Sequence, residues 1–129
     1  AGSLVGSGRF IKTLSNYMVL SLLPAAHAQT TEFISKGAIW KYLDDGSNLG
    51  TSWRSLTFND TAWAQGAAEL GYGEGDESTV VSFGPSGSGK HITTYFRHAF
   101  VVDAPSTIGH LSGELTYDDG AIVYLNGVE

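Results

Sequence analysis

The sequence predicts an all-β protein. Three observations carry that prediction: seventeen glycines with three prolines and no cysteine, short runs of β-branched and aromatic residues bounded by turn formers, and no sustained helical period beyond Phe33. Glycine used this freely suits many short strands joined by tight turns. A chain of 129 residues makes at most one domain, and an apolar share of 42% is enough for a core and too much for general disorder.

In chain order, the first feature is a targeting signature. Arg9 and Lys12 form a basic start, Tyr17 to Leu23 an apolar stretch, Pro24 a helix break, and Ala26-His27-Ala28 a small-x-small cleavage pattern. This predicts a signal peptide, with preceding residues, over 1–28 and a mature domain over 29–129. The apolar stretch is too short to span a bilayer as a helix, so the expected location is periplasmic or secreted and no membrane partner is expected. An amphipathic helix over Phe10 to Leu23 is the alternative reading of the same residues. Removal of Arg9 and Lys12 leaves five basic residues against thirteen acidic ones, a formal charge of −8. That balance argues against nucleic acid or anionic membrane as a partner. An exported domain without disulfides must be held by its core, by a metal or by a neighbour.

Ala38 to Leu43 reads as a strand with Trp40 and Tyr42 on one face and Leu43 on the other, ended by the turn formers Asp44 to Asn48. Trp53 to Phe58 is irregular, Asn59 to Trp63 a turn, and Ala67 to Tyr72 a short strand. Gly73 to Gly89 is a Gly-, Ser- and acid-rich loop interrupted by the strand-like Thr79 to Phe83. Three further strands follow: Tyr95 to Val102, His110 to Tyr117, and Ala121 to Leu125. Asn126-Gly127 suits a type I′ turn, so Val128 and Glu129 open a returning strand, and the domain is expected to be incomplete at its C-terminus.

Gly84 to Lys90 matches the spacing of a phosphate loop, but its context opposes that reading. His91 stands where a hydroxyl should meet magnesium, and Ile92 to Phe96 favours a strand where a helix N-terminus is required. Catalytic patterns are sparse. His91, His98 and His110 lack the short spacing of a zinc site, and no Ser has the nucleophile-elbow pattern. A small metal-dependent hydrolase remains open only through groups that meet in space.

Acidic and aromatic residues are more informative. Asp44-Asp45 and Asp118-Asp119 each precede a Gly, and clustered carboxylates in turns supply oxygen ligands for calcium. The same Asp-Asp-Gly sequences are also ordinary turn chemistry, with Asp accepting from backbone amides. Trp40, Tyr42, Trp53 and Tyr72, with Arg97 to hydrogen-bond hydroxyls, are the candidate carbohydrate-binding residues, because flat rings stack on the apolar faces of sugars. The competing reading of these aromatics is core packing.

Taken together, Ala38 to Asp45 (AIWKYLDD), Phe58 to Trp63 (FNDTAW), Leu70 to Gly73 (LGYG), Thr94 to Phe100 (TYFRHAF) and Tyr117 to Gly127 (YDDGAIVYLNG) resemble the galactose-binding-domain-like accessory modules of secreted bacterial proteins. They are also similar to the sugar-binding domain of β-galactosidase-type glycoside hydrolases. The resemblance implies an antiparallel β-sandwich or jelly roll, commonly calcium-supported, that binds a polysaccharide or glycan or docks other domains. Catalytic residues of such enzymes lie in a separate domain, so the resemblance carries none over. The leading expectation is a non-catalytic carbohydrate-binding module. The alternatives are an assembly module that pairs its open sheet edge with another protein chain, and a fragment of an enzyme.

Overall fold

The computed structural model describes residues 2–8, 13–22, 29–118 and 120–129, and the fold is all-β. Ten strands are described: β1 (Gly2–Gly8), β2 (Thr13–Leu22), β3 (Gln29–Ile34), β4 (Ile39–Leu43), β5 (Ala64–Ala67), β6 (Leu70–Gly71), β7 (Thr79–Val80), β8 (Thr94–Phe100), β9 (His110–Thr116) and β10 (Ile122–Leu125). They form two sheets. The first runs β10-β1-β8-β4-β5 with every neighbour antiparallel. The second runs β3-β2-β6-β7, with β9 on β2.

Alternation explains how one strand serves two cores. Along β8, Phe96 and Phe100 join a cluster with Trp40, Ile34, Leu70, Tyr72 and Val81, which draws on both sheets. Tyr95, one residue out of phase, joins Trp53, Trp63 and Tyr124 in a second cluster on the opposite face of the first sheet. The parity expected for β4 holds: Trp40 and Tyr42 pack with the main core, and Leu43 with the second cluster. Loop 44–63 therefore covers part of the first sheet's outer face, with Trp53 as its plug. The Trp53 ring meets Tyr95 at 4.9 Å and Tyr124 edge-on at 5.6 Å between centroids, geometries that aromatic quadrupoles favour.

The turns follow their chemistry. Asn126 and Gly127 both have positive φ, 52° and 83°, and Leu125 and Val128 exchange backbone hydrogen bonds across them, a two-residue I′ hairpin. Gly46 takes φ +77° after Asp44-Asp45, whereas Gly120 stays outside the left-handed region. Gly84 to Lys90 forms a loop closed by His91 N donating to the Phe83 carbonyl at 2.8 Å, and the chain runs on into β8, not into a helix.

Three features depart from the expectations. The short pair β6–β7 is parallel in an otherwise antiparallel arrangement; the Glu77 carboxylate gathers the Glu74 and Gly75 amides, each at 2.9 Å, within the connecting loop. Residues 64–66, unassigned between the expected Asn59–Trp63 turn and the strand expected from Ala67 onward, join Ala67 in the edge strand β5. Residues 13–22, within the stretch read as leader or amphipathic helix, form β2, which pairs with β3, β6 and β9. Both sheets thus include strands from either side of residue 28. The expected cleavage motif, Ala26-His27-Ala28, lies outside the described residues. No helix among the described residues is long and apolar enough to cross a membrane.

Candidate functional site

On the outer face of the first sheet, beside the Trp53 plug, lies an open groove of about 580 Å³. Its floor is β4 and β8, with Lys41 directly opposite Arg97 in register, and β5 adds Gln65 on the other side of Lys41. Leu56 and Phe58 of loop 44–63 form one wall, and Ile39, Ala99 and Val101 extend the apolar lining.

Asp60 organises the charges. Its Oδ1 accepts from Lys41 Nζ at 2.6 Å and its Oδ2 from Arg97 Nε at 2.7 Å. Burial alone would raise the Asp60 carboxyl, but the hydrogen bonds and charges of Lys41 and Arg97 outweigh it and hold the group below its ordinary value of 3.8. Arg97 is 6% exposed and also donates to the backbone carbonyls of Trp53 and Ser55, while its guanidinium lies 5.4 Å from the Phe58 ring centroid. A buried guanidinium is tolerable only when its donors are met in this way. Tyr95, two residues earlier on the same face, accepts from Leu49 N at its hydroxyl, at 3.2 Å. The Tyr-x-Arg pair of β8 is thus a clamp that fastens loop 44–63 to the sheet and shapes the groove.

The candidate carbohydrate residues do not form one platform. Trp40 and Trp53 are 1% and 2% exposed and lie in the two cores, so their ring faces are covered. Tyr42 is half-buried against the main core. Tyr72 is also core, its ring 5.4 Å from that of Phe83 and beneath Lys90. Arg97 alone of the five lines the groove. Core packing accounts for the aromatics: Trp40 and Tyr42 share the β4 face turned to the main core, Tyr72 joins that core just after β6, and Trp53 plugs the second cluster from loop 44–63.

The acidic turns show backbone capping. Asp44 Oδ2 accepts from Ser82 N, and Asp45 Oδ1 from Ser47 N at 2.9 Å. Asp118 takes part in an interaction of its own, and Asp119 lies outside the described residues. No three His, Cys, Asp or Glu side chains cluster as metal ligands among the described residues. His98 lines the groove, where Nδ1 pairs with the Ile39 carbonyl at 2.9 Å and the ring lies 5.1 Å from that of Trp40.

Sequence reasoning missed Lys41, Asp60, Phe58 and Gln65. One signal was available: Lys41 stands between Trp40 and Tyr42, so strand parity places it on the face that also carries Arg97, where a basic pair calls for a carboxylate. Comparison of this chain with protein-family models, curated proteins and solved structures finds no match.

Proposed function

We propose that this chain is a carbohydrate-binding accessory module of an exported protein, and that its ligand lies in the groove between loop 44–63 and strands β4, β5 and β8. One observation carries the reading: a groove of small-ligand size in which an apolar wall with a phenyl ring faces several convergent polar groups held on rigid strands. Sugars present the matching pattern, apolar C–H faces alternating with hydroxyls. The charged groups favour binding over proton transfer. Asp60 is ionised well below neutral pH and is held by two cations, which makes it a poor general acid. Arg97 is committed to three oxygens.

A pull-down of the full chain on insoluble plant, algal and bacterial polysaccharides tests this. Retention that is weakened by Phe58→Ala supports the groove; folded protein retained on none of them sinks the proposal.

Strand order favours a second reading, assembly. β1 fills the lane between β8 and β10, and β2 the lane beside β9. If export removes residues 1–28, both lanes open, and unpaired backbone groups there can accept a strand from another chain.

A further inference from the structure

Resting on the glycan reading, the charge of the groove narrows the ligand: we propose that it takes an acidic saccharide, with a carboxylate or sulfate ester seated against the Lys41 ammonium. Asp60 is the only acidic residue among the described residues lining the groove, and it faces two cations, Lys41 and Arg97. One positive charge is left over. It is presented at Lys41, because the Arg97 guanidinium is buried and engaged by Asp60, Trp53 and Ser55, whereas the Lys41 side chain is 33% exposed. An ammonium carries three donors, and the Asp60 bond uses one.

The surroundings complete a saccharide subsite. Gln65, exposed and opposite Lys41 in register, offers an amide that both donates to and accepts from hydroxyls. Phe58 and Leu56 give an apolar wall on the loop side. The positive groove is set in a chain of formal charge −6. Acidic ligands therefore gain from this locus and are repelled by the chain as a whole, which concentrates their binding here.

The test is titration of the full chain with three probes: oligogalacturonate for the carboxylate, a sulfated galactan oligomer for the sulfate ester, and a neutral galactan oligomer. Each is run at low and at physiological ionic strength, with Lys41→Met and Lys41→Arg alongside the parent. One or both acidic probes are expected to bind about tenfold tighter than the neutral one, the gap narrowing with salt. Lys41→Met removes that preference and Lys41→Arg keeps it. Which acidic probe binds tells carboxylate from sulfate. Equal binding of all three probes, unchanged in Lys41→Met, overturns the acidic assignment and leaves the glycan groove intact. Binding of none overturns both.

Discussion

Replacing Asp60 by Asn keeps the shape of the side chain and removes the charge that two cations share. The Arg97 arm is buried, and a charge-assisted hydrogen bond there contributes about 1.5–3 kcal/mol. The Lys41 arm is one-third exposed, so screening and side-chain entropy hold it to about 0–1 kcal/mol. Asp60→Asn should therefore destabilise the fold by about 1.5–4 kcal/mol at neutral pH, most of it from a buried guanidinium left without its counter-charge. Urea unfolding of parent and variant measures this directly. The pH dependence adds a second readout. The folded-state value of Asp60 is depressed, so its contribution is fully present above the ordinary 3.8 and is lost as pH falls through the lower native value. The gap between parent and Asn variant should be full at neutral pH and close in acid. A neutral-pH difference below about 0.5 kcal/mol, the level of ordinary surface substitutions, would refute the clamp.

Other expectations follow from the same packing. Trp53→Ala empties the plug of the second cluster and should cost about 3–5 kcal/mol by thermal or denaturant unfolding. Gly46→Ala combines φ +77° with a new Cβ 2.7 Å from His91 Cδ2, whereas Gly75→Ala has φ +86° and open space around it. Both should lose about 1–3 kcal/mol to backbone strain, with Gly46→Ala the worse of the two by the His91 contact; equal losses would remove His91 from the account. A chain beginning at Gln29 lacks β1 and β2 and should self-associate through the opened lanes, seen as mass rising with concentration in light scattering. A monodisperse, native-like monomer would count against that.

Much of the all-β pattern beyond Phe33 was legible, as in β8, which is written in strong β-formers whose parity sorts Tyr95 and Arg97 from Phe96 and Phe100; the sheet order, with β1 between β10 and β8, was not. Asn126-Gly127 announced its own turn. Ala64–Ala67 did not, since Ala-Gln-Gly-Ala has little strand preference. Gly66 is there for close approach, as a Cβ would lie 2.3 Å from Thr79 Cγ2. The groove was legible only in part. Lys41 and Asp60 are nineteen residues apart, and Arg97 lies thirty-seven beyond Asp60; no local spacing links them. Counting aromatics could not sort buried rings from exposed ones, because a sheet covered on both faces buries alternate rings on either side.

The position of β2 bears on the order of events in the cell. Residues 13–22 include most of the Tyr17–Leu23 stretch expected to act as an export signal, and in the folded chain they are a paired strand with neighbours on both sides. A segment cannot be extended in a receptor groove and hydrogen-bonded within a sheet at the same moment. For an exported chain, folding and recognition therefore race for the same ten residues. A chain that folds first hides its own address.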